Sequence, residues 1–181
     1  MASTGVGRLI RVGRLLLLLI AIVLVQTAVL PYARVFGVVP DLGLVATVAI
    51  AYREGPELGS IFGFAAGLAM DLFLQTPLGL TALSFALTGY LIGILQGALL
   101  RSAWWVTPLL GGLGGILGGL LFIGIGALVG QEQLFALRSL RVVLLSGVYD
   151  AIVAPIVFPI AGFAARRPGP RTGSELSRPG W

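Results

Sequence analysis

The chain contains no cysteine and no histidine. The first absence removes disulfides and thiolate chemistry. The two together remove the commonest sulfur and nitrogen metal ligands and the usual near-neutral general base. Lysine is missing too, so all 12 basic residues are Arg. Charge of either sign is scarce, at 10% of residues. The acids are Asp41, Glu54, Glu57, Asp71, Glu132, Asp150 and Glu175, and no two of them have a spacing that suggests a paired-carboxylate site. No catalytic residue, metal ligand or cofactor site is therefore expected, and an enzyme is a remote reading. A sequence pI of 10.7 could point to nucleic acid. The Arg residues instead flank apolar spans, where they set topology, so no nucleic-acid partner is expected.

What is present is apolar. Hydrophobic residues make up 57% of the chain and the mean hydropathy is +1.03. Apolar stretches fill the sequence from Leu15 to Phe163. Such a chain keeps no polar face for water and reads as an integral membrane protein. Each span needs about 20 helical residues, which allows five or six spans and leaves no stretch for a folded soluble domain.

The organisation expected is a cytoplasmic leader over 1–14, a transmembrane helical bundle over 15–165 and a disordered Pro/Gly/Arg/Ser tail over 166–181. Leu15–Leu30 reads as a retained first helix ended by Pro31. The second span, Asp41–Tyr52, covers only about 18 Å. It either spans with an irregular start from Val35 or is re-entrant, and Arg53-Glu54-Gly55-Pro56-Glu57 follows as a charged turn. Further spans are expected at Leu58–Leu74, Leu80–Leu100, Val106–Val129 and Leu140–Phe163, with Trp104 and Trp105 as interfacial anchors. With six spans and both termini cytoplasmic, the inner segments hold Arg8, Arg11, Arg14, Arg53, Arg101, Arg166, Arg167, Arg171 and Arg178. The outer loops then hold only Arg34, Arg138 and Arg141, in keeping with the positive-inside rule.

Glycine recurs at four-residue spacing in three spans: Gly59, Gly63 and Gly67; Gly89, Gly93 and Gly97; Gly111, Gly115 and Gly119, flanked by Gly114 and Gly118. Residues four apart share a helix face, and missing side chains let a second backbone come close. Internal packing accounts for most of these glycines. One ladder facing outward would dock a partner's transmembrane helix, and the fifth span is the candidate two-sided helix.

Few polar groups lie at membrane depth. Asp71 continues the Gly59–Gly67 stripe by one step, and Asp150 lies about ten residues into the sixth span. A charged Asp at a helix centre costs about 2.5–3.5 kcal/mol, so Asp150 is either protonated or supplied with donors. The candidate donors are Thr81, Ser84, Thr88, Tyr90 and Tyr149. Asp41, after Pro40, is expected to cap the second helix. Asp41, Asp71, Asp150 and Tyr90 read as intramembrane polar anchors ahead of a proton relay.

The order of these motifs resembles the rod shape-determining MreD family. Val39-Pro40-Asp41-Leu42 precedes the Arg53-Glu54-Gly55 turn, then Gly59-Ser60-Ile61-Phe62-Gly63-Phe64-Ala65-Ala66-Gly67-Leu68-Ala69-Met70-Asp71-Leu72. Thr76-Pro77-Leu78-Gly79-Leu80-Thr81-Ala82-Leu83 and Gly89-Tyr90-Leu91-Ile92-Gly93 follow. The resemblance implies an all-α, six-helix fold similar to the substrate-binding components of energy-coupling-factor transporters. It implies a non-catalytic scaffold of the bacterial cell-elongation machinery in the inner membrane. Its implied partners are the single-span protein MreC, RodA, a class B penicillin-binding protein, MreB filaments and membrane lipids. Where the family commonly has Asn in the sixth span, this chain has Asp150, ahead of Ala154-Pro155. The alternative is a vitamin-type transporter subunit enclosing a ligand between Tyr90, Asp71, Asp150 and Trp104. Sparse polar groups, and a first helix without an Ala-xxx-Ala docking surface, argue against it.

Overall fold

The computed structural model describes residues 3–33, 37–73, 77–96, 105–130 and 137–166. They form six α-helices: α1 (Ser3–Leu24), α2 (Leu42–Glu54), α3 (Pro56–Asp71), α4 (Leu80–Leu95), α5 (Val106–Leu128) and α6 (Leu137–Ala165). There is no β-strand among the described residues.

The leader expected over 1–14 is helical from Ser3 onward, because no proline interrupts the chain before Pro31. Approaching Pro31, α1 loosens into a π turn (Val25–Val29) and then a 3-10 turn (Leu30–Ala33). The proline ring cannot fit against the carbonyl four residues back, and the wider turn accommodates it.

The second expected span is a short, deeply buried helix. α2 has 13 residues, about 20 Å of helix, and every residue from Gly43 to Ala51 is buried. It is the axial helix of the bundle, in contact with each of the other five. Small and β-branched residues such as Ala46, Val48 and Ala49 let neighbours close around it. A single residue joins it to α3: Gly55, at φ 97°, caps α2 by donating to the Ala51 carbonyl at 2.9 Å and precedes Pro56 at the first position of α3. Only glycine takes this backbone conformation without cost, and proline suits a helix start.

Among the described residues, three helical stretches are long and apolar enough to cross a membrane: Val6–Val29, Val106–Leu128 and Ser139–Ala165. α3 and α4, at 16 residues each, are about 24 Å long. Of six expected spans, three therefore have the length of one, and the shorter three pack against them. α6 runs through Pro155 and Pro159, both on its exposed side. The outer surface is apolar, with Leu17, Ile61, Leu113, Ile152 and Ile156 exposed, as lipid contact requires.

Helices alternate in direction, so α1 begins and α6 ends at the same end of the bundle. There Arg11 Nε donates to the Ala165 carbonyl at 2.8 Å and Arg11 pairs with Glu54.

Candidate functional site

The described ladder glycines all face inward. A Cβ on Gly63 would lie 2.6 Å from the Phe85 carbonyl oxygen, and one on Gly67 2.5 Å from the Ala82 Cα. A Cβ on Gly89 would lie 2.5 Å from the Gly59 carbonyl oxygen, Gly59 itself meets Ala51, and Gly93 meets Pro56. α3 and α4 thus touch backbone to backbone, with Thr47 of α2 seated between them. On α5 the faces divide. Gly111, Gly115 and Gly119 meet Ala154, Asp150 and Val143 of α6, while Gly114 and Gly118 meet Val48 and Leu44 of α2. α5 has two small-residue faces and both are covered within the chain. Gly97 lies outside the described residues.

Asp71 is buried at the end of α3 and serves α4. Its Oδ2 accepts from the backbone N–H of Gly79 (2.8 Å) and Ala82 (3.2 Å), and its Oδ1 from that of Thr81 (3.2 Å). The N-cap residue of α4 is Gly79, which has no side chain for the task, so the carboxylate comes from the preceding helix.

α2 begins under three side chains. Asp41 Oδ1 accepts from the Leu44 amide (3.1 Å), the expected cap. The Asp41 amide donates to Asp150 Oδ1 (2.7 Å), and the Leu42 amide to Gln26 Oε1 (3.1 Å). Gln26 Nε2 donates in turn to the Pro40 carbonyl (3.0 Å). Two carboxyl groups and an amide thus gather at the positive end of the α2 dipole.

The α4 hydroxyls expected as donors to Asp150 do not serve it. Ser84 and Thr88 donate into their own helix, to the Leu80 and Ser84 carbonyls, both at 2.8 Å. A hydroxyl one turn after a free carbonyl finds it more easily than an acid on another helix. Tyr90, expected as an anchor, is 48% exposed on the outer face of α4. Asp71 is committed to α4 and Trp104 lies outside the described residues, so the ligand set Tyr90, Asp71, Asp150 and Trp104 is not brought together. No local spacing in the sequence joins Gln26, Thr81 and Ser146 into one site. Gln26 could have been noticed as an amide within the apolar run of the first helix.

Between the starts of α2, α4 and α6 and the second half of α5 lies a cavity of about 460 Å³. Leu44, Phe85, Phe122 and Val143 give it apolar walls, and Asp41, Thr81, Ser139 and Ser146 give it polar points. Thr81 Oγ1 is buried without a hydrogen-bond partner. Asp150 Oδ2, against the cavity-wall residue Gly115, makes no well-formed hydrogen bond either, although the Ser146 hydroxyl one turn earlier interacts with this carboxyl group. Buried polar atoms are nearly always partnered, so this cavity calls for an occupant that brings donors. No group of three or more metal-ligating His, Cys, Asp or Glu occurs among the described residues.

These features define an all-helical membrane protein that gathers its polar groups at helix ends and around one cavity. Its particular kind follows from comparison. The chain belongs to the family of the rod shape-determining protein MreD, whose family model matches residues 8–161. That membership carries a role in rod shape determination. No curated protein and no solved structure matches the chain.

Proposed function

We propose that the chain is a non-catalytic, multi-pass scaffold of the cell-elongation machinery in the bacterial inner membrane. It pairs with an MreC-like single-span protein and helps position peptidoglycan synthesis by RodA and a class B penicillin-binding protein, with MreB on the cytoplasmic side. Family membership supports the setting. Arg8, Arg11, Arg14, Arg53 and Arg166 all belong to the end where α1 starts and α6 stops, which supports both termini being cytoplasmic.

The observation that carries the pairing is the cavity with unpartnered Thr81 Oγ1 and Asp150 Oδ2. In this orientation it lies at the outer end of the bundle. A partner segment next to its own span brings backbone N–H groups, the donors this cavity lacks. The glycine faces, being covered, act by keeping the cavity walls in place. A photo-crosslinker at Ser146 should capture the MreC-like protein in cells. Capture from Phe64, on the opposite lipid-facing surface, with none from Ser146 would reject the assignment.

A second reading, a vitamin-type small-molecule-binding subunit, is favoured by the cavity volume alone, which lies within the range of ligand pockets. Mass spectrometry of the purified chain separates the two. A stoichiometric small molecule retained from cells supports the second reading, and a cavity reactive only with the partner supports the first.

A further inference from the structure

The opposite end of the bundle holds a second cavity, of about 390 Å³, lined by Tyr52, Arg53 and Glu54 of α2, Val106 and Thr107 of α5, and Phe158, Gly162 and Arg166 of α6. Its chemistry is the inverse of the first. Glu54 is neutralised by Arg11. No hydrogen bond or ion pair holds the Arg53 or Arg166 guanidinium among the described residues. The Tyr52 hydroxyl is buried and lacks a partner. α5 starts here with Trp105 at its N-cap and no side-chain cap, so its positive dipole end faces this end of the bundle.

Arg53 does not simply extend into solvent. It lies across the α6 backbone at Gly162, where a Cβ would fall 2.5 Å from the Arg53 Cζ. The missing side chain at 162 is a seat for the guanidinium. Behind it the Tyr52 and Phe158 rings stack at a tilt, with centroids 6.3 Å apart. Two seated or adjacent cations, two hydroxyls and a helix start converge where the one acid among the described lining residues is already paired. Guanidinium forks match tetrahedral oxyanions in charge and geometry.

We propose that this cavity binds a phosphate-bearing anion, at the level where the headgroup of an anionic phospholipid would lie. Arg53 and Arg166 contact the phosphate oxygens, Thr107 and Tyr52 donate hydroxyls to it, and Gly162 keeps Arg53 in position. The site does not depend on the partner pairing proposed above.

The purified full-length chain in a neutral detergent is titrated with dioleoyl phosphatidylglycerol, dioleoyl phosphatidylcholine or inorganic phosphate and read by native mass spectrometry. Phosphatidylglycerol should bind as one preferred equivalent, ahead of phosphatidylcholine. The double variant R53Q/R166Q should weaken it by on the order of tenfold, as expected for two cations near a headgroup. Both side chains are exposed, so the fold is not at stake. Gly162→Val keeps both charges but unseats Arg53 and should weaken binding in the same direction. Arg8→Gln, which removes an exposed charge on α1 outside the cavity, should leave it unchanged. Inorganic phosphate displacing the lipid at equal concentration would keep the oxyanion site and make its source soluble. Equal binding by wild type and R53Q/R166Q, or an equal loss in Arg8→Gln, would overturn the proposal.

Discussion

The α3–α4 and α5–α6 pairs both carry glycine at every fourth residue, and they use it to opposite ends. Across α3–α4, glycine meets backbone: Gly63 meets the Phe85 carbonyl, Gly67 meets Ala82, and Gly89 meets Gly59. The polar group at the end of that seam, Asp71, has both oxygens engaged by α4 amides. Across α5–α6 the nearest atoms are side chains, Ala154 at Gly111, Asp150 at Gly115 and Val143 at Gly119, although backbone also comes close at Gly111. There the polar group keeps one oxygen unpartnered and a cavity opens beside it. A small-residue stripe thus specifies close approach, and the residue opposite decides whether the seam closes or leaves room.

The largest effect should come from forcing the closed seam. A side chain at Gly67 has no flexible neighbour to displace, only the Thr81 and Ala82 backbone at 2.5–2.6 Å. Gly67→Leu should destabilise the bundle by about 3 kcal/mol or more, at the upper end for overpacking. Thermal unfolding in detergent checks this against Gly124→Leu, where a Cβ meets nothing within 4 Å and little change is expected. Next in size is Asp71→Ala, which strips the acceptors from three α4 amides. A loss of about 1–3 kcal/mol is expected, with Asp71→Asn losing less because it retains one acceptor oxygen. Should Asp71→Ala match wild type, the contrast between a satisfied and an unsatisfied seam would lose its meaning.

Much of the closed seam was legible in the chain. Four-residue glycine spacing identifies a shared face without any knowledge of the partner, and Asp71 continues that face. Its target could also have been found, since Gly79 stands where α4 needs a capping side chain and supplies none. Asp41 reads as a cap because its acceptor acts three residues away. The open seam was less legible for the converse reason. Asp150 meets the Asp41 amide across 109 positions, and no local spacing encodes that meeting. Ser84 and Thr88 form a polar stripe that suggests an interhelical role, yet local carbonyls take both hydroxyls. The burial of α2 along its apolar length also escapes a reading by length, since a 13-residue helix looks like a failed span until five neighbours surround it.

The open seam should respond to chemistry rather than bulk. Asp150→Ala removes the acceptor of the Asp41 amide and should cost about 1–2 kcal/mol. Asp150→Asn keeps that acceptor at Oδ1 and replaces the unpartnered oxygen with a donor, so the isolated chain should be as stable as wild type or more so. The same substitution should weaken capture of the MreC-like protein, because the cavity then presents a donor where the partner's N–H would bind. Unfolding temperature and co-purification yield, measured on the same preparations, should therefore move apart for Asn and together for Ala.

The smallest effect on stability, and the sharpest on function, is expected from filling the cavity. Ser146 is partly exposed on the cavity wall, one turn before Asp150, whose carboxyl group its hydroxyl meets. Ser146→Phe places a ring in the space of about 460 Å³ and covers apolar wall that otherwise waits for an occupant. The unfolding temperature should change little, the covered apolar wall offsetting the lost hydroxyl contact with Asp150, while pairing with the MreC-like protein and rescue of rod shape in a deletion strain fail together. Gly67→Leu would lose rod shape too, but only by losing the fold. A Ser146→Phe chain that folds, pairs and restores rod shape would mean that the cavity is a packing remainder of the open seam and that the partner binds elsewhere on the lipid-facing surface.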